Sequence, residues 1–135
     1  MRRGEAGQAQ VEFALVGLVF LILVFGMIDV GRAVWNYNTL AEATREGTRY
    51  AIVHGARASD PSGPGDDAAV QAQVQQFAAG LDLSQLTVSV DFPDGNNNLG
   101  DEVTVTSEYD YDPLFGFFGA VSIPMTSSST MTVTN

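Results

Sequence analysis

Sixteen consecutive residues, 13 to 28 (FALVGLVFLILVFGMI), carry no charge. With Val11 and Val30 on its flanks, the run approaches the ~20 residues a helix needs to cross a bilayer. A buried core helix is the ordinary alternative, but a 135-residue chain could hardly surround such a segment on all sides. A cleavable secretory signal would suit the basic start at Arg2 and Arg3. Asp29, Gly31 and Arg32 follow the run, however, where a small-x-small cleavage site should stand. The reading that remains is a membrane span, with Phe13, Leu21 and Ile28 marking its length and Arg2 and Arg3 holding the N-terminus in the cytoplasm. Arg32 on the far side works against that bias, and Asp29 three residues before it is its candidate partner.

One residue is out of place in this picture. Glu12 sits in the first turn of the apolar segment, five residues after Gly7. A carboxylate near the centre of a bilayer costs about 2.5–3.5 kcal/mol on insertion scales, so a residue of this kind usually has a partner or a task. The plain alternative is that Glu12 rests solvated among the headgroups.

Helical character outlasts the membrane. No proline occurs before Pro61, and helix formers continue through RAVWNYNTLAEATREGTRYAIV. Glu42–Arg45 and Glu46–Arg49 stand at i,i+3, and Ala43, Gly47 and Ala51 set small residues at steps of four for stalk packing. A helix of about 45 residues is ~68 Å long, of which a bilayer core takes ~30 Å, so the rest projects as a stalk. The expected organisation is a long helix over 8–53, with a membrane half at 11–30 and a stalk half at 31–53. A loop follows at 54–67, then a small head at 68–135.

In the head, Asp66 or Asp67 can cap a second helix whose apolar face is Val70, Val74, Phe77 and Leu81, with Gly80 as its stop. LTVSVDF (86–92) and EVTVTSEYDY (102–111) alternate as strands and flank a Gly/Asn turn, so they pair as a hairpin. STMTVT (129–134) completes a three-stranded antiparallel sheet. A disulfide-free head of some 80 residues has a thin core. It should therefore lean on the stalk, through a stripe of Val34, Tyr37, Ala41, Thr44, Thr48 and Ala51. The fold class is α+β: a long N-terminal half-transmembrane helix packed against a small head of one helix and a three-stranded sheet.

Charge narrows the function. The formal net charge is −10, there is no Lys, and from Ala56 onward eleven acidic residues face Arg57 alone. Such a body repels phosphate backbones and anionic lipid, which argues against nucleic-acid binding. There is no Cys for a disulfide or thiol site, no plausible nucleophile–base set and no ligand cluster, so neither an enzyme nor a cofactor is expected.

GQAQVEF (7–12 and Phe13) resembles the processing site of type IV pilin-like precursors. With GQAQVEFALV, IDVGRAVW and AEATREGTRYAIVHG, residues 4 to 55 look like the TadE-like proteins of tight-adherence (Flp-type) pilus systems. That resemblance implies several things. Met1–Gly7 would be a leader cut by a prepilin peptidase on the cytoplasmic face. Gln8 would become the first mature residue, with a free and sometimes methylated amine. Glu12 would be fifth, and would pair with the Gln8 amine of a neighbouring subunit in a filament core without lipid or water. Like or related pilin subunits and an inner-membrane assembly platform would be partners, with the bilayer as host before assembly. The product would be a cell-surface filament for adhesion or secretion. The other reading is a stand-alone single-pass protein whose acidic head binds a partner, and which has no need of the Gly7/Glu12 pair.

Other features carry less. Asp94, Asn96 and Asn98 match the opening of a calcium loop, but Leu99 replaces its glycine and Val105 its bidentate glutamate, so a hairpin turn is expected. The lone His54 suits a helix C-terminus. LFGFF (114–118) either covers the sheet or forms an apolar patch for a neighbour.

Overall fold

The computed structural model describes the backbone of residues 3–116 and 121–135, with side chains from Gly7 onward. Met1 and Arg2 of the expected leader, the Arg3 side chain and positions 117–120 of the aromatic stretch lie outside the described residues. Helix α1 (Arg3–Val53) is 51 residues long. It is followed by α2 (Ala68–Phe77) and three strands, β1 (Leu86–Asp91), β2 (Glu102–Tyr111) and β3 (Ile123–Thr132). The strands form an antiparallel meander in the order β1-β2-β3, with Val90 opposite Val105 and Val105 opposite Ser129. The arrangement is α+β, as the hydrophobic periodicities imply.

Alternation on β2 decides which face of the sheet meets the helices. Val103, Val105, Ser107, Tyr109 and Tyr111 are buried, whereas Glu102, Glu108 and Asp110 between them are exposed. On the solvent face, hydroxyls pair across strands, Thr104 with Thr130 at 2.8 Å and Thr106 with Ser128 at 3.1 Å. The buried face lies on the C-terminal half of α1, and α2 packs beside it. Leu40, Ala43, Ala51, Val70, Val74, Val103, Val105 and Tyr111 form the centre of one core.

That core uses a different phase of α1 than the expected stripe. Thr44, Thr48 and Ala51 are buried, but Val34 and Tyr37 are 55% and 49% exposed. Asn36 and Leu40 take their place. The stripe runs back from Thr44 in steps of four rather than alternating three and four, and Leu40 joins Val103, Val105 and Tyr111 of β2 in the core. The same shift occurs on α2: Val70, Val74 and Ala78 are buried, Phe77 is exposed, and Leu81 is buried beyond the helix end. Gly80 does stand in the turn that follows, at φ +84°. Asp67 occupies the N-cap, yet its αR backbone (φ −85°, ψ −9°) leaves its side chain without a capping bond.

Buried hydroxyls on α1 are satisfied locally. Thr44 Oγ1 donates to the Leu40 carbonyl at 2.7 Å and Thr48 Oγ1 to that of Thr44 at 2.8 Å. Gly47 admits α2, since a Cβ there would fall 2.3 Å from Val74 Cγ2. The last carbonyls of α1 are met by the chain end: Thr134 N donates to Ile52 O at 2.9 Å and Asn135 Nδ2 to Val53 O at 3.3 Å. Gly55 makes room for this, as a Cβ would lie 2.0 Å from the Asn135 carbonyl. His54 Nδ1 donates to Tyr50 O at 2.9 Å and its ring stacks on Tyr50. β3 starts at Ile123, six residues before the expected strand. Pro124 and the serines hide it in sequence, but on an edge strand a missing N–H is tolerated.

Candidate functional site

Among the described residues, the N-terminal half of α1 is left exposed over most of its length. The helix is long and apolar enough to cross a membrane, and none of its most apolar stretch is buried. Phe13, Leu21 and Ile28 are 80%, 48% and 44% exposed. Gly7, Gln8, Val11, Glu12 and Leu15 line one shallow hollow at the start of this half, since positions i, i+4 and i+7 share a helix face. Gln8 and Glu12 are thus neighbours on one side of α1, both exposed. Ala43 and Ala51 of the small-residue series are buried, and Gly47 lies against Val74.

The boundary between the bare half and the covered half of α1 is built around Asp29 and Tyr111. Asp29 does not pair with Arg32. Its carboxylate accepts the backbone N–H groups of Leu114 at 2.9 Å and Phe115 at 3.2 Å. Its carbonyl accepts the Tyr111 hydroxyl at 3.1 Å. Arg32 instead lies over the Tyr111 ring, 5.7 Å from its centroid. One turn earlier on α1, Phe25 stacks on Phe115 with centroids 4.4 Å apart and planes 19° from parallel. Burial pushes the Tyr111 phenol above its ordinary range, and the Asp29 charge acts in the same direction against the Arg32 cation. The reason for the missed pairing is geometric. A residue at i+3 is one of many partners available to an Asp, while two converging backbone donors give its carboxylate two charge-assisted hydrogen bonds at once.

Asp94, Asn96 and Asn98 serve the hairpin turn. Asp94 Oδ2 accepts Glu102 N at 3.0 Å, Asn96 Nδ2 donates to Asp94 O at 2.9 Å, and the Asn98 amide donates to Asn96 Oδ1. Asp101 Oδ2 takes Asn98 N at 3.0 Å. Among the described residues no group of three or more His, Cys, Asp or Glu is placed to hold a metal. Glu42–Arg45 and Glu46–Arg49 approach to 3.8 and 4.0 Å on the stalk, the first pair exposed and Glu46 half-buried, and helix pairs of this spacing are worth about 0.2–0.5 kcal/mol.

Against known proteins, the family profile described as TadE-like protein matches residues 7–49. The match covers the opening hollow, the apolar half and most of the stalk, and falls on the residues that carry the resemblance seen in the sequence. No curated protein and no solved structure matches the chain. The match and the bare apolar half of α1 together suggest a pilus-associated membrane protein.

Proposed function

We propose that this chain is a structural, non-enzymatic pilin-like subunit. It is inserted in the inner membrane with its N-terminus cytoplasmic, cut by a prepilin peptidase after Gly7, and passed by an assembly platform into an extracellular filament used in adhesion or secretion. The observation that carries this reading is the long apolar half of α1, left exposed among the described residues, with Glu12 exposed at its mouth beside Gln8.

A helix of this kind needs another apolar environment, first lipid and then the helices of its neighbours. Once the apolar helices bundle, an unpaired carboxylate among them is strongly penalised, and a hydrogen-bonded partner of opposite charge offsets part of that cost. Cleavage at Gly7 would create such a partner, the amine of Gln8, on an adjacent subunit. Assembly would then be coupled to cutting.

Intact mass spectrometry of the protein from its native membrane or surface fraction tests the reading. The expected mass lacks Met1–Gly7 and begins at Gln8. Glu12→Ala should still insert but assemble poorly. A full-length mass would favour a single-pass anchor whose acidic head binds a partner, and normal filaments from Glu12→Ala would overturn the pairing of Glu12 with the Gln8 amine.

A further inference from the structure

We propose that four described residues on the two flanks of the β2–β3 connection, Leu114 and Phe115 on one and Val121 and Ile123 on the other, form a second membrane contact and enter the same bilayer that α1 crosses, on the side of the head. The inference rests on the reading of α1 as a membrane span.

Depth is the first argument. The charges that bound the apolar run are Glu12 and Asp29, seventeen residues apart, which is ~26 Å of helix against a hydrocarbon core of ~30 Å. Phe25 lies one turn, or ~6 Å, inside Asp29 along that axis. Phe115 is stacked on Phe25. A bilayer that accommodates the run therefore reaches Phe115 as well.

Surface chemistry agrees with this position. Leu114, Val121, Ile123 and Phe115 are 60%, 55%, 44% and 37% exposed, although the solvent face of the sheet beside them is Thr, Ser and carboxylate. Exposed apolar residues grouped in this way mark a contact surface. Their continuity with the uncovered half of α1 indicates lipid as the occupant. A lone irregular loop would be excluded from hydrocarbon by its unpaired backbone groups. Here the N–H groups of Leu114 and Phe115 are taken by the Asp29 carboxylate, and the Tyr111 hydroxyl by the Asp29 carbonyl. The contact is apolar rather than electrostatic. Asp110 and Asp112 flank the loop, so zwitterionic lipid is preferred over anionic lipid.

Depth-resolved fluorescence of the full chain in phosphatidylcholine nanodiscs, with lipid brominated in the upper acyl chain and, separately, near the chain end, tests the proposal. Trp35 is the sole tryptophan, so Trp35→Phe provides a silent background. Into it go Leu21→Trp in the span, Phe115→Trp at the loop and Val121→Trp as a second loop probe free of the Phe25 stack. The expected result is blue-shifted emission and loss of intensity with brominated lipid at all three positions. Quenching at position 21 with red, unquenched emission at both loop positions overturns the proposal, because the loop is then in water. Blue-shifted but unquenched loop emission overturns it too, because protein such as a second copy then covers the patch. Where Phe115→Trp disturbs docking, the result at Val121→Trp decides. No quenching at position 21 refutes the span itself, and the loop contact with it.

Discussion

The Asp29 carboxylate takes the backbone N–H of Leu114 at 2.9 Å, tying the middle of a 51-residue helix to a loop 85 positions later in the chain. The bond, with its companion to Phe115, fixes where the head sits along α1. Hydrogen bonds to a charged group are worth roughly 1.5–3 kcal/mol. Asp29→Ala should therefore loosen the loop while leaving the sheet intact. Hydrogen exchange at the amides of Leu114 and Phe115 is the direct readout. Faster exchange there, with β2 protection unchanged, is expected; unchanged exchange would mean that the carboxylate does not hold the loop.

Gly47 is where the two helices approach. Gly47→Ala forces a Cβ into Val74, whose Cγ2 stands 2.3 Å from the added atom. Overpacking of this kind costs about 1–3 kcal/mol, more than the ~1 kcal/mol that alanine gains over glycine in helix propensity. The variant should lower the thermal midpoint of the full chain in nanodiscs. Val74→Ala made in the Gly47→Ala background should cost less than Val74→Ala alone, a coupling that a double-mutant cycle measures.

Ser107 supplies a test with the opposite sign. Its Oγ is fully buried, on the inner face of β2, without a hydrogen-bond partner among the described residues. An unsatisfied buried hydroxyl costs about 1–3 kcal/mol, and alanine fills nearly the same space. Ser107→Ala should raise the urea midpoint. A drop would show that the hydroxyl is engaged with water or another group in solution.

These residues also show what a sequence can reveal. β1 and β2 are legible because VTV alternation and an Asn/Gly turn are local signals with one strong physical meaning. The bare span is legible because no solvent but lipid, or other apolar helices, suits sixteen uncharged residues. Asp29 is different. Its partners are two backbone amides of the β2–β3 loop, and a backbone N–H has no letter in the sequence. Only the i+3 arginine was visible, and it went to Tyr111 instead. The phase of the stalk was ambiguous for a related reason: Val34–Tyr37–Ala41 and Asn36–Leu40 are both acceptable helix faces. The position of the sheet decided between them, burying Leu40 and leaving Tyr37 out.

Tyr111 makes the joint sensitive to alkali. Its hydroxyl donates to the Asp29 carbonyl and is pushed above its ordinary pKa of 10.0, chiefly by burial. A raised folded-state value means that the native protein holds this proton more tightly than the unfolded chain. The contribution is therefore complete below pH 10.0, the ordinary tyrosine value, and is lost as pH climbs through the higher folded value. Tyr111→Phe removes the hydrogen bond, at a cost of about 0.5–1.5 kcal/mol near neutral pH, and also removes the titrating group. Stability measured by urea unfolding between neutral pH and the alkaline limit should show two curves that converge as pH rises, with the native protein losing its advantage. Parallel curves would show that the phenol ionises in the folded state as readily as in the unfolded one, and that Tyr111 is not shielded by its seat at the end of β2 against α1.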